Sequence, residues 1–192
     1  MAGPALPARI GPIAIPQDEI SQAAWTWAEA RLPTYLFAHS VRSYCWAAAL
    51  GAQDGLGFDA RVLWVAALLH DIGLTRIGRA TRCFEYEGAE IARRFARRAG
   101  MSPSDADLVA KAIVLHMAPD VTDADGPEAV LLDLATAVDV RHVAADRDAA
   151  MRAPIDRAYP RGRFDPLFRA AIAREVAIRT DCRSAVLLPR LG

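Results

Sequence analysis

Residues 68–74 read LLHDIGL, and this stretch decides the fold. His70 and Asp71 stand side by side at the end of a strongly apolar run, and Gly73 follows two residues later. Burying ionisable side chains costs free energy unless a partner compensates it. The pair therefore either caps a helix end or binds something. Gly73 is expected to end the helix in a left-handed conformation.

The chain around this stretch has the apolar periodicity of α-helices, with Ser, Thr or Asp at several expected starts. We predict an all-α fold of roughly seven or more helices, with no internal repeat and no strand pattern. The expected helices cover residues 18–32, 34–51, 59–72, 86–99, 102–116, 126–139 and beyond, and 165–179. Residues 1–17 are rich in proline and are expected to form an irregular arm before a single domain over 18–192.

The composition excludes several classes of function. The chain has 192 residues, 53% of them hydrophobic, and a formal net charge of +0, so a packed core is expected and disorder is not. Without a basic field or a polybasic run, neither nucleic acid nor a membrane surface is an expected partner. No apolar run approaches the ~20 residues of a membrane span. The three cysteines (Cys45, Cys83, Cys182) are widely spaced, which favours a reducing cytoplasm without disulfides.

Ligand-type residues fall inside apolar helical stretches at several places. They are His39, His70 with Asp71, His116 and Asp139, and they come from four different predicted helices. A helical bundle can converge such side chains on one interior point. Imidazole nitrogen and carboxylate oxygen together suit a divalent ion, with zinc or ferrous iron favoured and manganese as an alternative. Asp133 and His142 fit ordinary structural roles, because Asp133 faces elsewhere on its helix and His142 lies among charges.

The ordered combination of His39, His70-Asp71 and Asp139 resembles the HD-domain superfamily, a helical fold named for its His-Asp pair. A narrower resemblance is to the cyanamide-hydratase-like branch. The segments that carry it are TYLFAHSVRSYCWA, LLHDIGLT, CFEYEGAE, AIVLHMAP and LATAVDVRHV. The resemblance implies that His39, His70, Asp71 and Asp139 hold the metal. Two-metal members of this superfamily generally have two further histidines between the His-Asp pair and the last aspartate. Only His116 lies between Asp71 and Asp139 here, so we expect one ion per chain.

The expected reaction is addition of a metal-activated water to a small molecule, because a bound divalent ion lowers the pKa of water. The branch implies a cyanamide-like or other nitrile-like substrate. Asp71, Glu85 and His116 are the expected catalytic residues, and His116 has a suitable ordinary pKa for proton transfer. Arg42, Phe84 and Tyr35 are the expected substrate contacts. Glu85 at a helix start and Arg42 in a salt bridge are the structural alternatives.

Two other functions stay open. The first is an HD phosphohydrolase for nucleotides or phosphate esters, with Arg76, Arg79 and Arg82 as candidate phosphate contacts. The second is a ligand-binding module without turnover, which is disfavoured because all four expected ligands are present. Homo-oligomerisation is also possible, since the loop 159–165 can reach either the site or a partner subunit.

Overall fold

The computed structural model describes residues 5–76, 81–141 and 149–191, and within them the chain is built of α-helices, which confirms the predicted fold class. The helices are α1 (Glu19–Glu29), α2 (Thr34–Gln53), α3 (Ala60–Leu69), α4 (Phe84–Arg98), α5 (Pro103–Leu115), α6 (Pro127–Arg141), α7 (Ala149–Ala158), α8 (Phe164–Ile178) and α9 (Arg183–Leu187). Short 3₁₀ turns cover Ile72–Arg76, Asp123–Asp125 and Leu188–Arg190. Arg79 and His142 lie outside the described residues.

The core lies around α3, whose residues from Val62 to Leu69 are all buried. Helices α1, α2, α4, α5 and α6 all pack against it. Helix α2 also packs against α6 and α8, so His39 on α2 lies between three helices that carry other site residues. Because α3 has no solvent face, the His-Asp pair at its end enters the interior with it.

Three predicted helix starts are confirmed by their caps. The side chain of Asp18 accepts hydrogen bonds from the backbone N–H groups of Ile20 and Ser21, and Asp59 caps α3 in the same way. Ser102 accepts from the N–H of Asp105, with a proline at the first helical position. In contrast, α4 begins two residues earlier than predicted, at Phe84, which places that side chain next to the His-Asp turn.

The terminal regions are more ordered than the sequence indicated. The proline-rich arm contains a small antiparallel hairpin of β1 (Arg9–Ile10) and β2 (Ile13–Ala14), and Ile10 and Ile15 are buried in the core. Helices α7 and α9 were not predicted, because α7 contains Pro154 and α9 spans only 5 residues. None of the described helices has the length and apolar character needed to cross a bilayer.

The expectation of three unpaired cysteines is wrong. Cys83 and Cys182 form a disulfide with Cα atoms 5.7 Å apart, although 99 residues separate them in sequence. Cys83 precedes α4 and Cys182 precedes α9, so the bond joins the starts of two helices that tertiary packing brings together. Spacing along the chain gave no sign of this proximity. Cys45 remains a free, buried thiol.

The role expected of Gly73 is also corrected. Gly73 lies within the 3₁₀ turn that follows His70, and it is not among the glycines with positive φ. A Cβ at Gly73 would overlap the backbone carbonyl of Phe84, and one at Gly88 would lie 3.2 Å from the carbonyl oxygen of His70. The glycine is therefore needed for close approach of α4 to the His-Asp turn.

Replacing Gly73 by alanine should lower the free energy of unfolding by about 1–3 kcal/mol, since the added methyl group must displace backbone. Gly57→Ala is the matched control, because no atom lies within 4 Å of the position its Cβ would take. Urea unfolding of the two variants and the wild type measures the difference. Equal stability of Gly73→Ala and Gly57→Ala would contradict the close-packing account.

Candidate metal centre

His39, His70 and Asp71 meet in the interior between α2 and the end of α3. The Nε2 atoms of His39 and His70 are 3.1 Å apart. Oδ2 of Asp71 lies 3.3 Å from Nε2 of His70 and 3.6 Å from Nε2 of His39. All three side chains are buried. They are the group of described residues in this cavity whose donor atoms lie close enough together to hold one ion.

Hydrogen bonds at the other ring nitrogens orient the histidines. Nδ1 of His39 lies 2.7 Å from Oδ2 of Asp139, and Nδ1 of His70 lies 2.8 Å from the carbonyl oxygen of Ala67. Both partners are acceptors, so both Nδ1 atoms donate, and in the neutral rings both Nε2 atoms carry lone pairs. Two lone pairs facing each other at 3.1 Å repel unless a positive charge lies with them.

A divalent ion fits this requirement. Zinc bonds to histidine nitrogen at about 2.0–2.1 Å, so tetrahedral ligand atoms lie about 3.3 Å apart. The three observed separations of 3.1, 3.3 and 3.6 Å bracket that value. Oδ2 of Asp71 is buried and has no hydrogen-bond partner among the described residues. A cation is the partner that this oxygen and both nitrogens lack.

The protonation states agree with a site for a positive charge. Burial alone would lower the pKa of His70, but the charge of Asp71, its hydrogen bond and the hydrogen bond to Ala67 together raise the pKa. Burial likewise would raise the pKa of Asp71, but His70 and His39 lower it to about 2. Asp71 is therefore a carboxylate at neutral pH.

Asp139, an expected ligand, lies behind His39 instead of beside the ion position. Its Oδ2 accepts from Nδ1 of His39, and both oxygens accept from the guanidinium of Arg42 at 2.7 and 2.8 Å. These hydrogen bonds lower the pKa of Asp139 despite its burial. An ionised carboxylate at this place orients the imidazole, the arrangement common behind metal-bound histidines. The structure thus places Asp139 behind His39, outside the group of donor atoms that lie close enough together to hold one ion.

Arg42 does not contact the cavity, which corrects its expected substrate role. It lies one helical turn after His39, so both side chains reach Asp139 from the same face of α2. The guanidinium is fully buried and also lies over the ring of Phe164. The salt-bridge alternative is the one observed. Arg161, in the loop 159–165, also donates to the backbone carbonyl of Asp139, so that loop reaches the site.

His116 lies beside the three-residue group. Its Nε2 is 3.9 Å from Oδ1 of Asp71, and its Nδ1 donates to the carbonyl of Ile113. Burial lowers the pKa of His116 to about 3, with the charge of His70 acting in the same direction. The ring is therefore neutral at pH 7, and its Nε2 carries a lone pair. This position favours accepting a hydrogen bond over the proton transfer expected from an ordinary pKa.

These residues form one end of a cavity of about 560 Å³. Phe84 lines it as expected, and its ring centroid is 5.8 Å from that of His116. The walls combine apolar and charged side chains. The apolar residues of the lining include Met117, Val140, Phe168, Val186 and Leu187. The charged residues include Asp133, Arg141, Arg183 and Arg190.

Several expected site residues lie elsewhere. Tyr35 is one turn before His39 and lines a separate cavity with Arg174, because the start of α2 faces α8. Glu85 is buried but does not line the cavity with the histidines; burial raises its pKa, and Arg183 and Glu175 are its charged neighbours. Arg76 and Arg82 are exposed outside the cavity.

Other cavity residues were missed. A structural role is expected for Asp133, yet α6 turns one stripe towards the cavity, comprising Asp133, Thr136, Ala137, Val140 and Arg141. The spacing of these residues along the sequence places them on one face of a helix. The sequence does not show that this face lines the cavity. Arg183 and Arg190 had no such signal, since they belong to the short C-terminal elements that were not predicted.

The fold and the site define a class of helical protein with a buried His, His-Asp centre. The family model of the HD domain matches residues 36–141, more than half of the chain and all of the residues in that centre. The chain belongs to the HD-domain family. A comparison with curated proteins gives no match.

Asp139→Asn should lower the free energy of unfolding by about 3 kcal/mol or more, because it leaves the buried charge of Arg42 without its counter-charge. Asp107→Asn is the control, since it makes the same chemical change in an exposed pair with Arg93 and should cost at most about 1 kcal/mol. Urea unfolding in the presence of a chelator separates this effect from metal loss. Similar small effects of both changes would contradict the role given to Asp139.

Asp133 should make stability depend on pH. Burial raises the pKa of Asp133 to about 6, against the opposing charge of Arg141. A raised carboxyl pKa means that the folded state favours the proton, so this stability is complete near pH 4 and is lost as pH rises through 6. Asp133→Asn should therefore stabilise the protein at pH 8 by about 1–2 kcal/mol, with the gain shrinking towards pH 4.

Thermal unfolding between pH 5 and 8 measures this effect, with Asp120→Asn at an exposed position as the control. A gain at Asp133→Asn that does not change with pH would contradict the assignment.

Proposed function

We propose that this chain is a metal-dependent enzyme that adds water to an electrophilic centre of a small molecule held in the 560 Å³ cavity. The observation that carries the proposal is the convergence of two histidine lone pairs and an unpartnered carboxylate oxygen at one end of that cavity. Members of the HD-domain family are usually metal-dependent hydrolases, which agrees with this class of reaction.

The ligands in this proposal are Nε2 of His39, Nε2 of His70 and Oδ2 of Asp71. Two nitrogens and one oxygen suit zinc, ferrous iron or manganese. When bound, such an ion acts as a Lewis acid and lowers the pKa of water. Catalytic zinc sites commonly have three protein ligands and leave a position for water or substrate, which is the number found here.

The neighbouring residues have distinct roles. His116 is neutral, so its Nε2 accepts a hydrogen bond from the attacking water on the Oδ1 side of Asp71. Asp139 and Arg42 keep the imidazole of His39 in the required tautomer. The rings of Phe84 and Phe168 line the cavity, with their centroids 5.8 Å from that of His116 and 5.7 Å from that of His39, respectively. Packing determines the position of each of these side chains.

The size of the cavity bears on the substrate. A water molecule occupies about 30 Å³, and cyanamide is little larger than two of them. A cavity of about 560 Å³ is within the range of sites for larger organic molecules. This supports hydrolysis of a larger molecule, such as a phosphate ester or a nucleotide, over hydration of cyanamide. Hydration of a nitrile is the second candidate, because the branch resemblance includes His116 and Phe84.

Asp71→Asn tests the proposal. The wild type should bind one divalent ion per chain, whereas Asp71→Asn should weaken binding by at least about 100-fold and lose turnover, because the amide offers no charge to the ion. Metal content by mass spectrometry and turnover of an aryl phosphate, a nucleotide panel and cyanamide are the measurements.

Asp107→Asn, the same change in an exposed ion pair, is the control and should keep both properties. If Asp71→Asn or His70→Ala kept its metal and its activity, the proposed site would be wrong. Turnover of cyanamide alone would select the second candidate.

A further inference from the structure

Three arginines line the cavity that holds the His39, His70 and Asp71 group. Arg141 ends α6, Arg183 begins α9, and Arg190 ends the last 3₁₀ turn. Among residues 5–76, 81–141 and 149–191, none of these three arginines has a nitrogen within 4.0 Å of a carboxylate oxygen. In a chain with no net charge, such a local excess of cations is a specific feature of this cavity.

The C-terminal wall, residues 182–191, is anchored at both ends. The Cys83–Cys182 disulfide joins its start to α4, and Arg183 donates a hydrogen bond to the carbonyl of Val114 on α5. Arg169 on α8 donates to the carbonyls of Leu188 and Leu191 near its other end. These contacts position Arg183 and Arg190 relative to the cavity, although the wall consists of short elements.

The guanidinium groups keep donors for a ligand. One nitrogen of Arg183 donates to the Val114 carbonyl, and its guanidinium carbon lies 5.9 Å from the ring centroid of Tyr86. Arg190 is exposed. Guanidinium presents paired N–H donors that match the oxygens of a phosphate or a carboxylate. Val186 and Leu187 lie between the two arginines in sequence and also line the cavity.

The acidic side chains near the cavity offset only part of these charges. Among the described lining residues, Asp71 and Asp133 are the carboxylates. Asp71 faces the two histidines, and the charge of Asp133 interacts with that of Arg141. Glu85 lies outside the lining and interacts with the charge of Arg183, and none of the described lining residues of the C-terminal wall is a carboxylate.

We propose that Arg183 and Arg190 bind an anionic group of the substrate, a phosphate or a carboxylate, and so determine specificity. This inference rests on the proposed function, since it places the reacting centre of the same molecule over His39, His70 and Asp71. Both arginines lie outside the matched HD region of residues 36–141. Specificity in this chain then comes from a wall that the family region does not contain.

Binding of three small aromatic probes to metal-free, full-length protein tests the inference. Phenyl phosphate, benzoate and phenol share a ring and differ in the anionic group. We expect at least one of the two anions to bind more tightly than phenol.

Arg190→Gln should raise the dissociation constant of that anion by roughly tenfold or more, because a charged hydrogen bond is lost. The double variant Arg183→Gln/Arg190→Gln should raise it further. Phenol binding should not change.

Arg97→Gln is the matched control, because it removes one exposed positive charge from α4 outside the cavity. Calorimetry measures the dissociation constants, and circular dichroism checks the fold of each variant. The anion that binds more tightly identifies the group recognised.

The inference is overturned if neither anion binds more tightly than phenol, or if the double variant binds the anion as Arg97→Gln does. Because no metal or turnover is involved, this outcome is separate from failure of the proposed function.

Discussion

The site depends on the buried carboxylate of Asp139, which His39 and Arg42 share. Arg42 supplies the positive charge that makes burial of Asp139 tolerable, and Asp139 in turn holds Nδ1–H of His39. Because Nδ1–H of His39 donates to Asp139, the lone pair of the ring is on Nε2, which faces His70 and Asp71. A charge pair between α2 and α6 thus determines which atom of His39 is available to an ion, without itself contacting the ion.

Two glycines allow the close helix packing that completes the site. The absence of a side chain at Gly73 and Gly88 lets α4 approach the turn after His70, which brings Phe84 to the cavity. The same helix start is joined through Cys83 to the C-terminal wall. The matched region of residues 36–141 therefore supplies His39, His70 and Asp71, and the C-terminal elements supply another part of the cavity wall.

Much of the helical fold was predictable from the sequence, because caps such as Asp18, Asp59 and Ser102 act locally. The convergence of His39, His70 and Asp71 was also predictable, since polar residues in apolar helices must meet a partner. The separate position of Asp139 was not, because sequence order cannot tell a ligand from a residue that orients one. The disulfide and Arg183 were not predictable either, since both depend on how α9 packs, which no local pattern encodes.

The most direct test of this account is a crystal structure of the protein loaded with a divalent ion, with the ion located by its anomalous scattering. We predict direct bonds to Nε2 of His39, Nε2 of His70 and a carboxylate oxygen of Asp71. The same map should show Asp139 still bound to Nδ1 of His39 and to Arg42. An ion bonded to Asp139, or no ion between the two histidines, would contradict the account.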